Sequence, residues 1–276
     1  LSGARFTPTG LAEQSDRVDL LVEVEEKNPY YAEFALGYDT QRLFYAQAAV
    51  GDNNLLGLNK QFRAELEWSQ IGYRSELSLT SPRMFGTRIT SQTGLFAEKL
   101  EELNKDFGIR TYGVSNVFSR TLTKHLTGSL NFRYEYREQY RTDGMAIPEE
   151  EADQYKPRSI LVSAPGLAYN STDSFIRPTR GIRANLSAEV STGIKNSLDE
   201  FIKYRADVRA YHTPLSRITL AARIRVGYLD PYGSRGRIPE DQLFFLGGTT
   251  DVRGFSENKL RVDDQGNPVG GRTSLL

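Results

Sequence analysis

The sequence has no cysteine, so neither a disulfide framework nor a thiolate metal site can be built from it. Histidine is nearly as scarce. His125 and His212 lie far apart without ligand spacing and read as strand-end surface residues. Net charge is absent too: 35 Lys and Arg balance 35 Asp and Glu, which leaves no concentrated basic footprint for nucleic acid. No run of about eighteen apolar residues occurs, which excludes a transmembrane helix but not a transmembrane barrel, whose strands merely alternate. Leu1 to Gly10 lack the basic start and apolar run of a signal peptide, and the first residue is not Met. The chain therefore reads as an internal piece of a longer precursor. A Gly-x-Ser-x-Gly elbow and a phosphate loop are both missing. Glu149-Glu150-Glu151 reads as a solvated run in a long loop. Asp263-Asp264-Gln265-Gly266-Asn267 resembles a calcium loop but lacks its later Glu, and reads as a turn. The expectation is a protein with no catalytic residues, no metal and no cofactor.

What the sequence does have is alternation. Phe62, Ala64, Leu66 and Trp68 alternate with Arg63, Glu65, Glu67 and Ser69. Leu130, Phe132, Tyr134 and Tyr136 alternate with Asn131, Arg133, Glu135 and Arg137; Tyr204, Ala206, Val208 and Ala210 alternate with Lys203, Arg205, Asp207 and Arg209. Ile182 to Val190 and Ile218 to Tyr228 repeat the pattern. Successive residues of a strand point to opposite faces, so each segment is a ribbon with one apolar and one polar side. The chain is all-β.

Strands are expected at 30–38, 43–51, 60–69, 73–81, 87–97, 107–118, 125–138, 158–169, 181–191, 201–212 and 217–228. Alternation alone does not separate a soluble sandwich from a membrane barrel. Strand length and connection asymmetry do favour one. Many segments run to ten residues or more, whereas soluble strands average about five or six and tilted membrane strands need about nine to eleven. The three longest connections, near 139–157, 192–200 and 229–272, all follow odd-numbered strands, as in barrels with short periplasmic turns and long extracellular loops. Tyr30, Tyr38, Tyr134, Tyr136, Tyr140, Tyr211, Tyr228 and Tyr232 fall near strand ends, where an interfacial girdle would sit. The fold expected is an antiparallel transmembrane β-barrel with its N-terminal side in the periplasm.

Two segments point to a family. In Phe244-Phe245-Leu246-Gly247-Gly248-Thr249-Thr250-Asp251-Val252-Arg253-Gly254-Phe255, paired glycines allow tight folding or close approach beside an arginine suited to a carboxylate partner. The passage from Arg17 to Asp39, an acidic strand followed by an aromatic one, changes character at Pro29. The first segment resembles the signature loop of the BamA superfamily of outer-membrane assembly barrels. The second resembles that family's step from the last POTRA domain into the barrel. Turns at Asp52 to Gly57, Thr80 to Pro82 and Asp173 to Gly181 extend the resemblance in order along nearly the whole chain, and it favours BamA over TamA.

The resemblance implies a POTRA remnant at 1–28 and, at 29–276, the first eleven or twelve of about sixteen strands, with the loop 229–272 directed into the lumen. It implies that Gly247, Gly248, Val252, Arg253, Gly254 and Phe255 form the signature loop, with Arg253 bonding to an acidic residue on strands beyond residue 276. It further implies a lateral seam at Tyr30, Ala32, Phe34, Leu36, Gly37 and Tyr38, where small Ala32, Ala35 and Gly37 suggest loose packing. Unfolded outer-membrane β-barrels would be the substrates, periplasmic lipoproteins the partners through the POTRA domains, and outer-membrane lipid the surroundings. The function implied is folding and insertion of outer-membrane barrels; the alternative is a TamA-like protein or an FhaC-like two-partner secretion pore.

Overall fold

A computed structural model describes residues 3–9, 19–25, 28–101, 103–142, 147, 152–194, 198–215, 217–233 and 238–276. The Glu149-Glu150-Glu151 run lies outside the described residues. Two strands, β1 (Gly3–Thr9) and β2 (Asp19–Glu25), form a separate antiparallel pair. All the other strands belong to one sheet.

That sheet has twelve strands in strict chain order, each hydrogen-bonded antiparallel to its sequence neighbours. They are β3 (Tyr30–Asp39), β4 (Leu43–Asp52), β5 (Gln61–Ser69), β6 (Gly72–Ser81), β7 (Thr90–Glu101), β8 (Phe107–Thr123), β9 (Leu126–Arg141), β10 (Arg158–Asn170), β11 (Gly181–Ile194), β12 (Phe201–Leu215), β13 (Ile218–Pro231) and β14 (Thr273–Leu275). All eleven strands expected from alternation are present, and β14 adds the twelfth by pairing with Val226–Tyr228 of β13.

Several strands outrun the expected bounds: β8 reaches 17 residues and β12 reaches 15. Backbone pairing continues past the stretch where the side chains alternate, because ladder hydrogen bonds need no apolar partner. This corrects one expectation. With β11 extending to Ile194, the connection expected at 192–200 shrinks to 195–200. Connections at one end of the sheet are 40–42, 70–71, 102–106, 142–157, 195–200 and 232–272; those at the other end are 53–60, 82–89, 124–125, 171–180 and 216–217. The asymmetry thus rests on the two longest, 142–157 and 232–272.

Register keeps one apolar face continuous across the strands: Leu36 faces Ala46, Ala46 faces Trp68, Val114 faces Tyr134, Tyr134 faces Leu161, and Ala206 faces Val226. This apolar face is the exposed one. Phe34 is 82% exposed, Leu36 86% and Ile224 58%, while the charged Arg158 and Lys203 on the opposite face are 2% and 6% exposed. A soluble sheet buries its apolar side. Here the charges are inside and the hydrocarbon is outside, which is the arrangement of a barrel wall in lipid. Tyr134, Tyr136 and Tyr228 lie on the apolar face as a girdle requires. Tyr211, paired with Gly181, sits on the polar face, and the Tyr232 hydroxyl donates to the Ser191 carbonyl at 2.7 Å, so these two are not girdle residues.

Leu186 lies mid-strand on the apolar face, 48% exposed. Leu186→Arg is expected to destabilise the lipid-embedded protein by roughly 2–4 kcal/mol. At an equally exposed site of a water-soluble fold the same change stays within about 0.5 kcal/mol. Urea unfolding of full-length protein in lipid vesicles measures the difference.

Candidate functional site

The connection between β13 and β14 folds back over the polar face of the sheet and is fixed at its base by ions. Pro239 to Gln242 form a single 3-10 turn that points the Asp241 carboxylate at two strands. One carboxylate oxygen takes Arg137 of β9 at 2.6 Å, and the other takes Arg158 of β10 at 3.2 Å. Arg158 also reaches Asp199, beside the start of β12, at 3.0 Å. Arg137 is backed by Glu135 at 2.9 Å. The side chains of Asp199 and Asp241 have no exposed surface, and that of Arg158 has 1%. Lys203 donates to the Gln242 carbonyl at 2.6 Å and sits 4.7 Å from the Phe244 ring centroid.

Beyond this base the loop turns sharply. Leu260 N–H donates to the Leu246 carbonyl at 2.9 Å, and Gly248 N–H to the Phe255 carbonyl at 3.1 Å, so residues 246–260 close on themselves. Gly247 is in the left-handed region with φ +123°, and a Cβ there would stand 2.6 Å from the Ser256 carbonyl oxygen. Only glycine fits that position.

The tip then meets the far side of the sheet. Thr40, in the β3–β4 turn, donates to the Glu257 carboxylate at 2.7 Å and lies 2.9 Å from the Thr249 hydroxyl. Gln41 donates to the Thr250 hydroxyl at 3.0 Å. Asn104, between β7 and β8, donates to the Glu257 carbonyl at 2.8 Å, and Asn258 donates to the Leu103 carbonyl at 3.1 Å. Arg225 of β13 is paired with Asp251. One loop therefore touches both flanks of the sheet.

A match to the Omp85 superfamily domain covers residues 54–276. The chain belongs to the Omp85 superfamily. It is 27% identical over 266 residues to the outer membrane protein assembly factor BamA of Nitratidesulfovibrio vulgaris, covering 94% of this chain and 32% of that protein. Identity to the protein of the same name from Neisseria meningitidis is 22% over 274 residues, or 93% of this chain and 34% of that one. The chain thus spans about a third of the length of the curated relatives it matches. Its fold is similar to that of BamA from Haemophilus ducreyi lacking POTRA domains 1–3, with TM-score 0.83 at 17% identity over 99% of this chain and 57% of the other. CdiB from Acinetobacter baumannii is less similar, with TM-score 0.53 at 13% identity over 93% of this chain and 48% of the other. The sheet is thus an Omp85 outer-membrane barrel wall, and its polar face is the barrel interior.

In this Omp85 wall the signature residues do not all face one way. Gly247 and Gly248 are buried, whereas Arg253, Gly254 and Phe255 are exposed. Among the described residues Arg253 makes no ion pair. Of the seam residues, Phe34, Leu36 and Tyr38 stand on the apolar face, and β3 pairs with β4 through all ten residues. The space left by Gly37 is taken by the Tyr45 ring, over which Arg42 stacks at 3.7 Å, so β3 is covered on its inner face at this position, while Glu33 and Ala35 stay exposed. Sequence reasoning missed Asp241, Arg158 and Asp199. Two signals were available: a Glu-Asp-Gln triplet between Ile238-Pro239 and the apolar Leu243-to-Leu246 run, and an arginine directly after Pro157.

Burial raises the Asp241 carboxyl, and the Arg137 and Arg158 guanidiniums overcome that and hold it at about 2. Asp199, buried beside the Asp241 charge with Arg158 as its main offset, is pushed up to about 6. A lowered carboxyl contributes stability above its unfolded value near 3.8 and loses it as pH falls toward 2; a raised one contributes below 3.8 and loses it as pH rises through 6. The two neighbours should therefore behave oppositely. Asp241→Ala takes one of two carboxylates from each of two guanidiniums, leaving Arg158 with Asp199 and Arg137 with Glu135, and is expected to cost up to about 3–5 kcal/mol. Asp199→Asn is expected to raise stability at pH 8 and to flatten its decline between pH 4 and 6. Thermal loss of the folded gel mobility of unheated full-length protein, followed across pH, checks both.

Proposed function

We propose that this chain forms part of an outer-membrane assembly factor that folds and inserts other β-barrel proteins. The observation that carries the reading is the loop tip bonded to Thr40 and Gln41, which ties the signature loop to the first hairpin of the sheet. Relatives named as outer membrane protein assembly factors align with 93–94% of the chain, which supports it. In this reading β3 is the seam strand. Its outer edge accepts an incoming substrate strand by backbone pairing, while Phe34, Leu36 and Tyr38 offer an apolar surface to the substrate's lipid-facing side chains. Loop 232–272 braces the interior, and Arg253 bonds to an acidic side chain of the wall. Residues 1–28 are the end of a POTRA domain on the periplasmic side, through which accessory lipoproteins would attach.

Depletion of the full-length protein in its source cell is expected to lower many unrelated outer-membrane barrels together, with their precursors accumulating in the periplasm. Normal levels of most barrels with loss of one or a few secreted proteins would instead establish a secretion pore. A photocrosslinking residue at Phe34 or Leu36 should capture nascent barrels in such cells, and one at Tyr134 on β9 should not. Equal capture at both positions would remove the seam from the reading.

A further inference from the structure

The end of the sheet opposite the loop carries a feature that barrel assembly does not use. Connections 53–60 and 82–89 share a backbone hydrogen-bond pattern, 29 residues apart. Leu55 N–H donates to the Lys60 carbonyl at 2.8 Å and Leu58 N–H to the Leu55 carbonyl at 3.0 Å; Met84 N–H donates to the Ile89 carbonyl and Thr87 N–H to the Met84 carbonyl, both at 2.9 Å. In each turn the residue before a glycine is forced into the left-handed region: Leu56 at φ 53° and Phe85 at φ 49°. Bulky side chains rarely adopt that conformation. Both are also displayed to the outside, at 84% and 91% exposure. Connection 171–180 adds Phe175 at 80% and Ile176 at 87%. Strain combined with exposure of large apolar groups, repeated in two turns, has no basis in internal packing.

Charge at this end is one-sided. The five connections hold seven Lys and Arg against one acid, Asp173, whose carboxylate is taken up by the Thr179 and Arg180 N–H groups of its own turn. The connections at the loop end hold ten Lys and Arg against fifteen Asp and Glu. Arg83, Arg88, Lys124 and Arg180 are exposed and, among the described residues, make no ion pair.

We infer that the short-turn end is a membrane-anchoring ring for anionic phospholipid, with Leu56, Phe85, Phe175 and Ile176 set at the headgroup–acyl boundary and the flanking Lys and Arg on lipid phosphates. Turns at the ends of membrane-spanning strands lie at headgroup depth by construction. Apolar tips flanked by cations match the chemistry of an anionic interface.

The test uses full-length protein in vesicles of phosphatidylethanolamine and phosphatidylglycerol, with a nitroxide at Leu56→Cys or Phe85→Cys. Both sites are exposed, so labelling does not challenge the fold. Collisions with oxygen are expected to exceed those with a water-soluble nickel chelate several-fold, relative to a label at Gln265→Cys in the opposite loop. Nickel access equal to that reference places the tips in water and overturns the inference. Shielding from both reagents overturns it in favour of a protein surface covering the tips. A second arm compares the preference for spin-labelled phosphatidylglycerol over phosphatidylcholine in wild type, in Arg88→Glu and in the combined Arg83→Glu, Arg88→Glu, Lys124→Glu and Arg180→Glu protein. A fall of several-fold in the combined variant, in material that keeps folded gel mobility, is expected. An unchanged preference rejects the phosphate contacts.

Discussion

Asp241 between Arg137 and Arg158 is the contact on which the interior of this barrel wall depends. Moving ions out of water costs several kcal/mol apiece, and a guanidinium buried as deeply as Arg158 is tolerable only with carboxylates on its N–H groups. β9 and β10 supply the arginines, and of the wall's carboxylates Glu135 reaches Arg137. Asp241 arrives from a loop that leaves the sheet after β13 and returns over its polar face. Loop and wall are therefore mutually required. Without the loop Arg137 keeps only Glu135 and Arg158 only Asp199, and without the wall Asp241 has no reason to leave water. Lys203 on the Gln242 carbonyl and the chain bridge between Phe244 and Gly271 hold the same segment from either side.

The interior can be this charged because the exterior is not. An inverted sheet needs every backbone group paired within the wall, since lipid offers no hydrogen bonds. The continuous run of paired neighbours from β3 to β13 meets that need between its two outermost strands, and β14 continues it at Val226–Tyr228. Pro165 in the middle of β10 is a local break, beside register shifts at Thr121–Thr123 and His212–Leu215 near strand ends. It has no N–H, and Ala164 and Pro165 drop out of the register with β11 while keeping it with β9.

Much of this was legible in the sequence, and the reason is the period of two. Arg63, Glu65 and Glu67 could only share a face, and register with neighbouring strands then fixed which face that was. Strand bounds were less legible, because pairing in β8 and β11 runs on through residues that no longer alternate. The loop was legible as a motif but not as a set of contacts. Gly247 announced a tight turn, yet Asp241 was unreadable as an anchor because its partners, Arg137 and Arg158, are 104 and 83 residues away. The contacts of Thr40 and Gln41 with the loop tip span 209 to 217 residues and involve ordinary polar side chains with no local signature.

The two ends of the loop are held by unequal forces. At the base Arg158 and Asp241 are ionised and almost fully desolvated, so removing the Asp241 carboxylate leaves buried charge under-compensated and costs several kcal/mol. At the tip, Thr40, Gln41, Thr249 and Thr250 make exposed hydrogen bonds between neutral groups or to the part-exposed Glu257, each worth about 0.5–1.5 kcal/mol net because water replaces it on release. The loop is thus a rigid post at β9, β10 and β12 with a loosely bonded head against the β3–β4 turn. The contacts with the first hairpin are therefore the weaker of the two sets.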